Sequence, residues 1–144
     1  MLSHSAPTAF ASHFGDDRLA LLRASLKLDA IATGLVGAAA LAGGPLVADL
    51  LGLPATLLVA VGAFLVPYAA LVWVAGASRA LVRRGARAAI WVNLLWVVLS
   101  VAALALGWLA PTVLGTAVVL LQAAAVAVFA ALQIVALNKA RAAA

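Results

Sequence analysis

The sequence predicts an all-α fold: a transmembrane four-helix bundle, N-in and C-in, with an amphipathic helical extension at its N-terminus. Three observations predict it. Of 144 residues, 68% are hydrophobic and 9% charged, against about 45–50% apolar and about 25% charged in a soluble domain. The few charges are bunched, leaving uncharged runs at 30–48, 50–78 and 88–138. Glycine and proline then divide these runs at Gly43-Gly44-Pro45, at Pro54 and over Gly107–Gly115, which contains Pro111. A chain this short forms one domain, and a core of that size cannot hide so much apolar surface. Part of its solvent must be lipid.

The first residues, 1–15, read as a mobile tail without periodicity. No Lys or Arg precedes Arg18. A secretory signal would start with positive charge, so the first apolar run is expected to stay in the mature chain. Asp16 or Asp17 can cap the first helix and complement its dipole. Arg18, Arg23 and Lys27 can reach headgroups while Leu19, Leu22 and Leu26 face apolar material. One long helix is expected, interfacial first and then spanning over about 26–43, because crossing needs about 20 residues. Gly43-Gly44-Pro45 is expected to break it.

The segment 46–53 is too short to span. Pro54 suits the first turn of a new helix, giving a second span at 54–77 with an expected kink at Pro67. A loop at 78–87 carries Arg79, Arg83, Arg84 and Arg87. The third span is placed at 88–109 and the fourth at 112–137, followed by a basic tail, 139–144, with Lys139 and Arg141. The membrane domain as a whole covers 16–138.

Orientation follows from charge. The N-terminal flank has three Lys or Arg, the loop at 78–87 four and the C-terminal flank two, while the other loops have none. The positive-inside rule then puts both termini in the cytoplasm. These nine side chains (Arg18, Arg23, Lys27, Arg79, Arg83, Arg84, Arg87, Lys139 and Arg141) are the candidate contacts for anionic lipid headgroups. The net charge of +5 flanks apolar runs as membrane anchors do, so nucleic acid is not an expected partner. With no cysteine, disulfides and thiol catalysis are excluded. His4 and His13 lack carboxylate company for a metal site. No glycine-rich phosphate loop and no nucleophile with a nearby base is present. No cofactor is expected.

Polar groups in lipid are costly and each needs an account. Asp29 lies about one turn inside the first span. It reads as an ion, proton or substrate-cation site, or as a boundary carboxylate paired with Lys27 or a loop arginine. Thr33 is one turn deeper on the same face, extending a polar stripe or bonding back to a helix carbonyl. Asn93 enters the same depth from the third span, with Trp96 and Ser100 on its face. Gln122 and Gln133 share a face of the fourth span. Asp29, Asn93 and Gln133 thus form one layer in the inner third of the bilayer, with Tyr68 somewhat deeper. If these side chains face the bundle axis they make a polar pocket open to the cytoplasm. The alternative is that Asn and Gln join helices, each contributing about 0.6–2 kcal/mol. Trp73, Trp91 and Trp108 sit where an aromatic belt is expected. Small residues recur at steps of four at Ala30, Gly34, Ala38 and Ala42, and at Ala123, Ala127 and Ala131. They permit close packing within the bundle or between protomers.

The stretches LDAIATGLVGAAALAG, LVADLLGLPATLLVAVGAFLVPYAALVWVAGA and WVNLLWVVLSV resemble small four-span proteins of high-GC bacteria, over about residues 18–138. The resemblance implies a bacterial inner membrane and transfers no functional residue. The functional expectation is a protein that binds or moves a small or lipidic ligand through the inner-leaflet polar layer, acting from the cytoplasmic half. The alternatives are a non-catalytic module associating with itself or a membrane partner, and a lipid-modifying enzyme.

Overall fold

A computed structural model describes the backbone of residues 8–142 and the side chains from residue 18 to 142. Residues 1–7, including His4, lie outside the described residues. The four helices are α1 (Thr8–Leu51), α2 (Ala55–Ala77), α3 (Val82–Ala105) and α4 (Val113–Arg141). Each holds a stretch long and apolar enough to cross a membrane, and no strand occurs among the described residues. The chain is an all-α multi-pass membrane protein. One end of the bundle carries the described basic side chains, the turn from α2 to α3 and the end of α4. It is called the basic end here, and the opposite end, with the two other turns and Asp49, the far end.

α4 runs on to Arg141, so Lys139 and Arg141 stand in its last turn rather than in a tail, and α3 ends at Ala105, short of 109. Three further boundaries differ from the sequence reading. The first concerns α1, which begins at Thr8 and runs 44 residues, about 66 Å at about 1.5 Å per residue. Asp16 and Asp17 therefore lie within the helix rather than at its start, and part of the expected tail is helical. The second is the expected break at Gly43-Gly44-Pro45: Pro45 lies inside α1. Proline removes one backbone hydrogen bond and crowds the carbonyl of Leu41. In lipid the neighbouring backbone groups have no water to turn to, so losing the helix costs more than losing one bond. The third is α3, which starts at Val82, so Arg83, Arg84 and Arg87 stand on its first turns instead of in a loop. The chain has no reason to stay irregular there, since Arg and Ala are both good helix formers.

α1 stops where glycine permits it. Gly52 has φ +64°, the left-handed conformation that closes many helices. Its N–H donates to the Asp49 carbonyl at 3.2 Å, and the next N–H, of Leu53, donates to Ala48 at 3.0 Å. This pair of bonds is the Schellman pattern. The turn before α4 then fastens onto the same end. The Thr112 hydroxyl donates to the Leu50 carbonyl at 2.8 Å and accepts from Gly115 N–H at 3.1 Å, while Thr112 N–H donates to Leu51 at 3.0 Å. A side chain at Gly115 would overlap the Leu51 carbonyl.

Around the bundle α1 packs most extensively on α2, and α2 and α3 touch least among sequence neighbours. Glycine sets the α1–α2 approach. A Cβ on Gly62 would lie 2.7 Å from the Gly37 carbonyl oxygen, and one on Gly44 2.9 Å from Leu58. Gly34 meets Ala69 and Ala30 is buried, while Ala38 and Ala42 on the same four-residue stripe are exposed.

Packing is uneven along the bundle axis. Leu22, Leu26, Ala30, Val72, Val82, Ala86, Ala89, Ile90, Ala136 and Leu137 form one buried cluster. In the far half, glycine and alanine carry most of the burial, and α3 buries nothing beyond Asn93. The bundle is closed at its basic end and hollow toward its far end.

Candidate functional site

Asp29, Asn93 and Gln133 meet at one level of the bundle, each at most 3% exposed. Their helices bring them there because each residue sits one to three turns inside its apolar segment, counted from the basic end. Asp29 accepts three hydrogen bonds from neutral donors. The Thr33 hydroxyl donates to Oδ1 at 3.0 Å. The amides of Asn93 and Gln133 donate to Oδ2 at 2.8 and 2.7 Å. The second Asn93 hydrogen reaches Gln133 Oε1 at 3.4 Å, and the Tyr68 hydroxyl donates to Asn93 Oδ1 at 3.2 Å. The amide orientations follow from this pattern: a carboxylate oxygen only accepts, so the NH2 of each amide must face it. Every helix contributes to the network. No buried side-chain N or O among the described residues lacks a partner.

The layer expected from the sequence is therefore present, with Thr33 and Tyr68 joined to it. Thr33 bonds to Asp29 rather than back to a carbonyl. The side chains that donate to Asp29 are the neutral Thr33, Asn93 and Gln133, in place of the expected Lys27 or arginine. Lys27 instead lies over the Trp73 ring at 5.3 Å, a cation–π contact. Arg23 donates to the carbonyls of Gly76 and Ala77 at 2.9 and 3.2 Å, and Arg83 to Ala140 at 3.2 Å. Both guanidiniums thus complete the last turns of other helices, where cations are favoured by the dipole.

A second, smaller network lies toward the far end. The Trp96 indole N–H donates to Gln122 Oε1 at 2.7 Å, and Gln122 donates to the Ser100 hydroxyl at 3.1 Å. Trp96 also stacks on Phe64, with centroids 6.1 Å apart and rings 3° from parallel, and Phe64 stacks on Tyr68 at 5.8 Å.

Between the two networks and beyond them the bundle is hollow, in two adjoining lobes that share lining residues. Its near lobe, about 370 Å³, is lined by all four helices, including Thr33, Phe64, Tyr68, Asn93, Trp96 and Gln122. Its far lobe, about 480 Å³, shares Val36, Leu65, Trp96, Val118 and Gln122 with the first and continues to Leu51 and Leu109. Both volumes fall in the range of about 300–1,000 Å³ usual for small-molecule sites. The lining is largely aliphatic and aromatic. Phe64, Leu99 and Leu121 are each about half exposed or more, so the hollow reaches the bundle surface.

Comparison of the chain with protein-family models, with curated proteins and with solved structures gives no match. The reading of the site rests on its geometry.

That geometry corrects one expectation. The polar layer is closed toward the basic end, where Leu22, Leu26, Val82, Ala86, Ala89 and Leu137 cover it. The cavity lies on its other side. Polar residues marked the level of the layer, but the direction of the opening is set by volume. Leucine and valine fill the basic end, whereas small or splayed side chains leave the far half empty. Sequence reasoning also missed Phe64. Its spacing of four from Tyr68 on one helix face was the available signal.

Proposed function

We propose that this protein binds a small lipidic ligand inside its four-helix bundle. The observation that carries the reading is a largely apolar cavity lined by all four helices, floored by a polar network around Asp29. Hydrocarbon walls with a few convergent polar groups are the usual make-up of a small-molecule site, and a membrane supplies lipidic molecules at high local concentration. In this reading the protein resides in a bacterial inner membrane, as the resemblance implies, with both termini in the cytoplasm, as the distribution of Lys and Arg predicts. Exposed Arg84, Arg87, Lys139 and Arg141 hold anionic headgroups at the cytoplasmic face.

The test is lipid retention. The protein is extracted in native nanodiscs and its bound molecules identified by mass spectrometry. Ala125 lines the near lobe, and Ala125→Phe should fill it and reduce the retained species at least tenfold. Ala124→Phe, at an exposed position outside the lining, should leave retention unchanged. Equal retention in both variants would rule the cavity out as the site.

A second reading is an assembly module acting through helix association. The observation favouring it is that Ala38 and Ala42 are exposed, which leaves part of a small-residue stripe free to meet another helix. Ala38→Leu that disperses a native oligomer would support it.

A further inference from the structure

The hydrogen atoms around the cavity floor are already engaged, and this selects the chemistry of the ligand. Thr33, Tyr68 and Asn93 all line the near lobe. The Thr33 hydrogen points to Asp29 and the Tyr68 hydrogen to Asn93. Both amide hydrogens of Asn93 are directed to Asp29 and Gln133. Each hydroxyl oxygen keeps a lone pair, and so does Asn93 Oδ1. The polar capacity left at the floor is therefore acceptor capacity. The Trp96 N–H is also engaged, by Gln122. Gln122 keeps one amide hydrogen, but it is level with Trp96 and Ser100, above the floor.

Such a floor discriminates by hydrogen-bond polarity. A group that only accepts, such as an ether or ester, finds oxygen facing oxygen and loses its water partners without replacement, a desolvation penalty. A carboxylate or phosphate meets the same acceptors and in addition leaves its charge without a partner. A hydroxyl or ammonium finds partners ready. Beyond the floor, the two adjoining lobes lie along α1 from Ala32 to Leu51, about 28 Å at about 1.5 Å per residue, with walls that are apolar apart from Gln122 and Ser100 and suit one extended chain.

We propose that the cavity takes a single-chain amphiphile whose head is a hydrogen-bond donor, an alcohol or an ammonium. The head sits on Tyr68, Thr33 and Asn93, and the tail fills the far lobe. This rests on the ligand-binding reading above and narrows it to a chemical class.

The experiment uses the full chain in nanodiscs and four probes of one tail length: dodecanol, dodecylammonium, dodecyl methyl ether and dodecanoate. Binding is read by native mass spectrometry at a pH where the dodecanoate is ionised. Dodecanol or dodecylammonium, or both, should bind at least tenfold more tightly than the ether and the carboxylate. The double variant Thr33→Val with Tyr68→Phe removes two of the three acceptors and should reduce the preference for the alcohol over the ether at least threefold, while the ether binds no worse. Asp29→Asn separates the two heads: it should weaken the ammonium and spare the alcohol. Ether or carboxylate binding as tight as the alcohol, yet blocked by Ala125→Phe, would overturn the donor-head inference and leave the cavity reading standing. Binding of all four probes that Ala125→Phe does not touch would sink both. Thermal melting of each variant in the same nanodiscs checks that it is folded.

Discussion

The Nε2 of Gln133 donates to Oδ2 of Asp29 at 2.7 Å across 104 residues of sequence, tying the last helix to the first. The bond is fully buried, and Oδ2 shares its second donor with α3 through Asn93. Gln133→Leu should therefore destabilise the bundle by about 1–3 kcal/mol, because a buried acceptor loses a partner. Gln133→Glu should cost more, since it sets a second carboxyl group against the first. Reversible unfolding in mixed micelles measures both. A Gln133→Glu variant as stable as Gln133→Leu would show that the level of Asp29 is wetter than its burial indicates.

The contact between Gly62 and the Gly37 carbonyl predicts a steep size dependence. Gly62→Ala should cost about 1–3 kcal/mol, as overpacking does in a tight interface. A Cβ on Gly43 would meet nothing within 4 Å, and the residue is helical. Gly43→Ala should be neutral or stabilise by about 0.5–1 kcal/mol through the smaller entropy loss on folding. The same unfolding assay compares the two, and equal effects would contradict the α1–α2 packing described.

Pro45 is exposed and interrupts the hydrogen-bond ladder of α1. Pro45→Ala restores a donor to the Leu41 carbonyl and should stabilise the protein by about 1–3 kcal/mol. Hydrogen exchange should slow at the amides flanking position 45. A loss of stability instead would mean that α1 needs the proline to seat its last turns on Thr112.

Asp49 stands exposed at the far end, opposite the basic residues. On this naturally cysteine-free chain, Asp49→Cys should react with a membrane-impermeant maleimide from outside intact cells, and Arg141→Cys only after lysis. The reverse pattern would invert the topology and place the cavity on the cytoplasmic half.

The level of the site was readable from the sequence, but its shape was not. Counting residues from the basic flanks placed Asp29, Asn93 and Gln133 together, because depth in a bilayer is a linear function of position along a helix. Helical spacing likewise joined Thr33 to Asp29 and Trp96 to Asn93. Two other features depend on three-dimensional packing and left no local mark. Which of two neighbouring layers is filled depends on side chains from four helices at once, so the direction of the cavity was not legible. The helical state of Pro45 was not legible either, because the rule that proline ends helices is learned in water. Phe64 does not stand out in an apolar chain as a polar residue does. Its role is to bridge Tyr68 and Trp96 by stacking, and that role exists only once α2 and α3 are side by side.

The plug of leucines and valines at the basic end has a mechanical consequence. A tube open at both ends conducts, but a cup does not. With Leu22, Leu26, Val82 and Leu137 all but inaccessible, nothing crosses the bundle along its axis unless those side chains part. If the proposed ligand sits above the Asp29 network, its way out is the side of the bundle, where the hollow reaches the surface. The resting architecture is that of a cup, closed at its basic end and open at its side.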